Sequence, residues 1–368
     1  MHSAYSLAIL NIEPKCYEDA ILEPCWREAI LAELDALNKN KTWTLTSLLS
    51  GKKVIGRKWI FKVKYHPDAR NTAVILALAA VKRCHLKQID VNTTFLHSEL
   101  DEEVYMKPPE GLAIAPGQAC KLEKSLYGLK QASRQWNFKL KSVLIELGYN
   151  QCKSDYSMFT KSQSTGFTVI LVYVDDLVLA GDDLLEIERV KQTLHDRFRI
   201  KDIGDLRFFL GLEVARSSKG IALYQRKYIL DLLRDTGFEH CKPASTPMDY
   251  GAKLSKDDGD SLPDSSDYRK IIGKRLYLSN TRPDISFAIG KLSQFLDCPI
   301  TNHLQAAHRI LRYIKNSPAA ELFFSANSDL SLTGFSDSDL ARCPDSRRSV
   351  SAYCFYVGSS LITLKSKK

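Results

Sequence analysis

The feature that most constrains this chain is a pair of adjacent acids, Asp175-Asp176, set between two apolar runs. The run from Phe167 to Val174 is almost wholly apolar, and Leu177 to Ala180 resumes the pattern before Gly181-Asp182-Asp183 closes it. Two short apolar runs around a tight polar pair predict a β-hairpin with buried sides and two carboxylates at its tip. Aspartate is common in turns, so the pair taken alone reads as an ordinary hairpin. A third acid changes the weighing. Asp90 lies in Gln88-Ile-Asp-Val91, in a short predicted strand over 85–91, and a predicted helix over 125–149 separates it from the hairpin. Trp136, Leu140, Val143, Leu144 and Leu147 form one side of that helix.

The rest of the chain fills in around this core. Pro24 to about Asn40 has Trp26, Ile30, Leu34 and Leu37 at helical spacing. Residues 54–65 alternate, with Trp59, Phe61, Val63 and Tyr65 on one face and Lys58, Lys62 and Lys64 on the other, which predicts a half-buried strand with a basic outer face. The apolar stretch 73–81 predicts the end of a helix, and Pro108, Pro109 and Pro116 mark a loop. A sheet segment is predicted from Asp205 to Val214, a helix over 224–238, a polar loop over 253–267, and two or three helices around Arg282-Pro283-Asp284. Strand-like pieces run from Leu332 onward.

Nine cysteines, an odd number without any CxxC pair, predict neither a disulfide framework nor a zinc site. No run is long enough to span a bilayer, and no secretory signal is seen at the start, so a non-secreted, intracellular protein with no membrane partner is expected. Lysine and arginine number 52 against 43 acids, and the net charge of +9 suits a polyanionic partner without proving one.

An acid-bearing strand, a long helix and a hairpin bearing two acids, in that order, is the palm layout of template-directed polymerases. Packing the strand ends side by side would let Asp90 and Asp175 hold two magnesium ions, hard cations that take oxygen ligands. One would activate a primer hydroxyl and the other would neutralise a triphosphate.

At this point the chain resembles the reverse transcriptase of copia-type LTR retrotransposons, the plant kind especially. The matching motifs are Trp26-Arg-Glu-Ala29, Asn40-Lys-Thr-Trp43, Ile55-Gly-Arg-Lys-Trp59, Asp90-Val-Asn-Thr-Thr-Phe-Leu-His97, Val104-Tyr-Met-Lys-Pro-Pro-Glu-Gly111, Ser125-Leu-Tyr-Gly-Leu-Lys-Gln-Ala132, Tyr173-Val-Asp-Asp176 and Phe209-Leu-Gly-Leu-Glu213. Thr281-Arg-Pro-Asp-Ile285, Leu311-Arg-Tyr-Ile314 and Ser336-Asp-Ser-Asp339 continue in the same order.

The resemblance implies an α+β right-hand polymerase. Residues 1–72 would be an N-terminal segment with truncated fingers, 73–215 the palm, 216–328 thumb and connection helices, and 329–368 an incomplete ribonuclease H-like α/β stub. Asp90, Asp175 and Asp176 match the catalytic, metal-holding acids, with Mg2+ as two ions and Mn2+ as a substitute. RNA template, DNA primer and dNTPs are the implied partners, in the cytoplasm within a virus-like particle or in the nucleus. Phe95 matches the residue that excludes a ribose 2′-hydroxyl, against a plain reading as a core aromatic. Gly128 and Gln131 match a nucleotide-binding segment, against a helix-start turn. Phe209, Leu210 and Gly211 match the hairpin that grips the primer end, against an ordinary buried hairpin. Lys201 is a candidate general acid for pyrophosphate departure, although most lysines simply face solvent. Asp337 matches the first ribonuclease H acid, but a single such acid is better read as structural, and ribonuclease H activity is not expected.

Two departures stand out. Between Tyr65 and Thr72 the family carries a few dozen more residues, including an Arg-Leu-Val-Ala-Lys-Gly type strand that reaches the triphosphate; here only Arg70 remains nearby. The C-terminus stops before the later ribonuclease H acids, so the chain reads as internally deleted and truncated. Two functions follow as alternatives: an RNA-directed DNA polymerase by two-metal nucleotidyl transfer, or a catalytically inactive remnant that at most binds nucleic acid.

Overall fold

The computed structural model describes residues 16–48, 51–56, 70–91, 94–97, 99–112, 117–126, 129, 131–164, 166–249, 251, 254–256, 259–341 and 343–368. The predicted basic strand with Lys58, Lys62 and Lys64, the site of the expected deletion, and Gly128 lie outside the described residues. The chain forms two compact units: Met1–Lys64, Lys87–Leu179 and Asp183–Gly204 make the first, and Tyr65–Leu86, Ala180–Asp182 and Asp205–Lys368 the second.

The first unit opens with helices α1 (Tyr17–Leu22) and α2 (Pro24–Lys39). Pro24 starts α2, where its missing N–H costs nothing, and Ile30, Leu34 and Leu37 are buried as their spacing requires. Strands β1 (Trp43–Ser47) and β2 (Val54–Ile55) join β4 (Glu99–Met106) and β5 (Gln118–Lys124) in a sheet of order β1-β5-β4-β2. The sequence shows the proline loop between β4 and β5 but not these two strands, because their apolar positions are broken by Glu102, Glu103, Lys121 and Glu123.

A second, six-stranded sheet carries the acids. It consists of β3 (His85–Val91), β6 (Asn150–Gln151), β7 (Met158–Gln163), β8 (Gly166–Tyr173), β9 (Asp176–Gly181) and β10 (Ile200–Asp205), ordered β10-β3-β9-β8-β7-β6. Helices α4 (Ala132–Glu146) and α5 (Leu184–Phe198) contribute to one core with it. Ile89, Val91, Leu177 and Leu179 from the strands meet Trp136, Leu140, Ile187, Val190 and Leu194 from the helices. Helix α4 is shorter than the predicted 125–149. It ends where Gly148 adopts φ +87 and Tyr149 N–H reaches back to the Leu144 carbonyl at 2.9 Å, a glycine stop of the Schellman kind. Helix α5 is capped by Asp183, whose carboxylate accepts from the Glu186 N–H at 3.0 Å.

In the second unit, helix α3 (Arg70–Val81) shares a body with a sheet of β11 (Phe208–Phe209), β12 (Leu212–Ser217), β13 (Gly220–Tyr224) and β14 (Leu322–Ser325). Helices α6 (Arg226–Asp235), α7 (Ser266–Leu278), α8 (Ser286–Leu292) and α9 (Thr301–Asn316) enclose a second core around Ile229, Tyr268, Ile272, Leu292 and Leu311. A meander of β15 (Leu332–Ser338), β16 (Ser351–Val357) and β17 (Ser360–Lys367) follows. Among the described residues no helix is long and apolar enough to cross a membrane, and none of the described cysteines is in a disulfide.

Candidate active site

The acid-bearing strand and hairpin are adjacent, as their order requires. β3 and β9 are neighbours in the sheet, and the Val91 N–H donates to the Asp175 carbonyl at 2.8 Å. Asp90 and Asp175 are 85 positions apart in sequence, yet this bond joins their chain segments directly. Strand residues alternate between faces. Ile89, Val91, Leu177 and Leu179 point into the helical core, so Gln88, Asp90 and Asp176 belong to the opposite face. A side-chain contact fixes this: the Gln88 Nε2 donates to the Asp176 Oδ1 at 3.3 Å. Asp90, Asp175 and Asp176 are half-buried.

The hairpin tip is a two-residue turn, Val174-Asp175, between β8 and β9. Val174 has φ +55, a left-handed conformation that is costly for a β-branched residue. A positive φ at the first turn position is the feature of a type II′ turn, where glycine is the usual occupant. The turn is held from the helix side, since the Trp136 indole N–H donates to the Val174 carbonyl at 2.8 Å. Trp136 itself is 2% exposed and packs edge-on against Phe198, with ring centroids 5.1 Å apart.

Helix α4 is in turn fastened at its far end. Lys161 Nζ and Arg189 Nη2 both donate to the Leu147 carbonyl, at 2.8 and 3.1 Å, where a helix C-terminus favours cations. Both cations also bind Glu186, at 3.0 and 2.8 Å. Burial pushes the Glu186 carboxyl up, but hydrogen bonds from Arg189 and Lys161 outweigh it and hold the group below its ordinary range.

Residue types and placement on the strand ends fit a hard cation. Among the described residues, however, no three His, Cys, Asp or Glu side chains converge closely enough to hold one. The three acids therefore lie on neighbouring strands and the turn between them without forming a single ligand shell.

Residues 65–250 match the reverse transcriptase (RNA-dependent DNA polymerase) family, half of the chain. This chain belongs to the reverse transcriptase family. Within the family it is a copia-type region of a retrotransposon Pol polyprotein, with the α+β polymerase fold of reverse transcriptases. It is 37% identical to the retrovirus-related Pol polyprotein from transposon RE1 of Arabidopsis thaliana, over 99% of this chain and 27% of that protein. It is 34% identical to a putative transposon Ty5-1 protein of Saccharomyces cerevisiae, over 76% of this chain and 92% of that protein. A foamy viral protease-reverse transcriptase in complex with dsDNA superposes on 93% of this chain and 66% of its own, with a TM-score of 0.49 at 15% identity. The chain thus spans about a quarter of the length of the plant Pol polyprotein. That match runs over 402 positions, more than the 368 residues available, so at least 34 positions of the relative face no residue here.

The other residues that the resemblance singles out fall as follows. Phe95 lies in a 3-10 turn, Thr94–His97, and is 5% exposed within the core that contains Trp136. Gln131 is the residue that precedes α4, and its carbonyl accepts from the Gln135 N–H at 2.9 Å. Lys201 is exposed on β10, the edge strand. Asp337 is exposed on β15, opposite Ala352.

Phe209, Leu210 and Gly211 lie in a hairpin of the second unit. Phe208 pairs with Glu213 and Phe209 with Leu212, leaving Leu210 and Gly211 as a two-residue turn. Both have positive φ, +52 and +76, as a type I′ turn requires. Glu213 accepts from the Lys227 N–H at 2.8 Å and so caps the start of α6.

Gln88, Trp136 and Glu213 were missed by sequence reasoning as supports of these sites. Arg309, Arg312 and Lys315 hold the chain segment that follows α6. Arg312 Nε donates to the Lys242 carbonyl at 2.7 Å, Lys315 Nζ to the Cys241 carbonyl, and Arg309 Nη2 to the Thr246 hydroxyl at 2.9 Å. Two backbone carbonyls and one hydroxyl lie within reach of the helix, and the cations take them.

Proposed function

We propose that this chain is an RNA-directed DNA polymerase that extends a DNA primer on an RNA template with dNTPs. The observation that carries the reading is the 2.8 Å bond from the Val91 N–H to the Asp175 carbonyl, which ties an acid-bearing strand to an acid-bearing turn. Asp90, Asp175 and Asp176 would hold two Mg2+ ions, with Mn2+ able to replace them, once their carboxylates turn toward one another, since as placed they form no shared ligand shell. Bound there, the ions would lower the pKa of the primer 3′-hydroxyl and neutralise charge on the triphosphate and its leaving group. The chain's own part is to supply carboxylate charge at a fixed place, since positioning is most of phosphoryl-transfer catalysis.

Other roles rest on the family resemblance: Phe95 against the sugar, Gly128 and Gln131 beside the incoming nucleotide, Phe209 to Gly211 at the primer end, and Lys201 as general acid. The protein would act where its RNA is, inside the cell, in the cytoplasm or nucleus. The reading as an inert remnant is not favoured, because the match to Pol polyproteins runs over 99% of the chain. The absent positions, if they lie at the expected place between Tyr65 and Thr72, would remove charge-assisted partners of the triphosphate and raise the KM for dNTP. The test is incorporation of labelled dTTP on poly(rA)/oligo(dT) with Mg2+. Incorporation by this chain and none by Asp90→Asn supports the reading; equal incorporation by both, or none by either, sinks it.

A further inference from the structure

The hairpin Phe208–Glu213 is fixed at its tip by a residue from a distant part of the sequence. The Tyr277 hydroxyl, near the end of α7, donates to the Leu210 carbonyl. The same hydroxyl lies directly over Gly211. A Cβ placed on Gly211 would collide with it and would meet the ring carbon that bears it at 3.4 Å. Gly211 is therefore required twice, by its φ of +76 and by the tyrosine above it.

Tyr277 is not free to move away. Its ring packs edge-on against Tyr228 of α6, with centroids 5.0 Å apart and planes at 80°. The Tyr228 hydroxyl donates in turn to the Lys274 carbonyl of α7 at 2.8 Å. At the stem, Glu213 caps α6. The hairpin is thus bound at its tip to α7 and at its stem to α6, and Phe209 is buried beneath it at 1% exposure.

We propose that Tyr277 is a positioning residue that sets the height of the Leu210-Gly211 turn, and through it the place where a primer terminus is held. This rests on the polymerase reading of the chain, and it adds a residue that no motif comparison had singled out. The hairpin then travels with the helices of its own unit as one piece. A primer end resting on it is registered by α6 and α7.

The test uses the full chain as wild type, Tyr277→Phe, Gly211→Ala and the double variant. Thermal midpoints come first, because they need no activity. Loss of one hydrogen bond should lower the midpoint in Tyr277→Phe by about 2 °C. Gly211→Ala should cost more, and the double variant should cost less than the sum of the two, because the added methyl then meets only the ring. Strict additivity would overturn the contact. The second arm measures Kd for a recessed-end RNA–DNA duplex and, where the chain polymerises, KM and kcat for primer extension. Tyr277→Phe should raise Kd and KM for the recessed duplex about fivefold while leaving kcat and the Kd for a blunt duplex within about twofold. A coupled thermal cycle with unchanged recessed-end affinity would overturn the positioning role alone. Absence of incorporation by wild type would count against the polymerase reading, and the binding arm would still decide on Tyr277.

Discussion

The two units solve the same local problem in different ways. Each carries a two-residue hairpin turn with a left-handed residue, Val174 in one and Leu210 in the other. In each, an aromatic donor from a helix captures the carbonyl of that residue: the Trp136 indole at Val174 and the Tyr277 hydroxyl at Leu210. In each unit an acid and an arginine brace a helix end, the acid Glu186 being buried in the first and the arginine Arg282 in the second. Glu186 with Lys161 and Arg189 holds the Leu147 carbonyl, and Arg282, paired to Asp284 at 2.8 Å, donates to the Ser317 carbonyl at 2.9 Å. The difference lies at the second turn position. Gly211 gives way to a tyrosine overhead, whereas Asp175 keeps a side chain. Both turns nevertheless place a non-glycine residue with positive φ first, Val174 at +55 and Leu210 at +52, and the branched Val174 bears the greater strain. Strain held in place by its surroundings is a mark of a functional site.

The comparison breaks most sharply at the carboxylates. Asp175→Asn should lower incorporation by about 10^3-fold or more, the loss expected when several kcal/mol of metal-mediated stabilisation is removed. Gly211→Ala should leave far more activity. Steady-state rates of the two variants check this, and similar losses would show that the tips are not functionally distinct.

Next come the braces. Glu186→Ala leaves Lys161, whose side chain is 10% exposed, without its buried partner and should destabilise the first unit by about 3 kcal/mol. Denaturant titration, followed by tryptophan fluorescence, measures it, since all four tryptophans belong to the first unit. The same carboxyl predicts an acid limit. Its pKa is lowered in the folded chain, so its contribution is complete above the unfolded value of about 4.3 and is lost as pH falls through the lowered folded value. Asp284 is lowered as well, since Arg282 outweighs its burial, so both units should lose stability in acid. Glu186→Gln should flatten the pH dependence of the first unit only.

A smaller effect sharpens the likeness between the two donors. Trp136→Phe deletes the N–H together with the five-membered ring of a buried indole, and should cost about 1 kcal/mol for the bond and more for the space left. Its thermal shift should exceed that of Tyr277→Phe, which loses a hydroxyl alone. A shift no larger than that of Tyr277→Phe would mean that the indole ring adds little to the packing beside Val174.

The smallest effect is at the strained residue. Val174→Gly relieves about 1–2 kcal/mol of left-handed strain and returns about 0.5–1 kcal/mol as backbone entropy. Net stability should rise by at most about 1.5 kcal/mol, while Gly211→Ala falls. Changes at the tips of the two hairpins would then have opposite signs in one calorimetry series.

The hairpin of acids, the strand with Asp90 and the helix between them were legible, because apolar runs and a polar tip have no other compact solution. Helix α4 was drawn too long, since apolar periodicity continues to Leu147 while the stop depends on a backbone angle at Gly148. Strands β4 and β5 were hidden by charged residues on their exposed sides. The motif Phe209-Leu-Gly-Leu-Glu213 was visible, but not its reasons. Tyr277 and Lys227, which explain Gly211 and Glu213, lie 66 and 14 positions further on. Gln88 gave no signal, because a glutamine in a strand has no pattern until its partner is known.

The cations of α9 have a consequence for measurement. A polyanion that binds a protein releases ions condensed along its backbone, and the dependence of log K on log salt counts the phosphates neutralised. Arg309, Arg312 and Lys315 are occupied by oxygens of the chain itself, so they enter that count only if a phosphate displaces those oxygens. The salt slope for this chain should therefore fall below what its net charge of +9 invites. The shortfall would report how firmly residues 241–249 are tied to the helix.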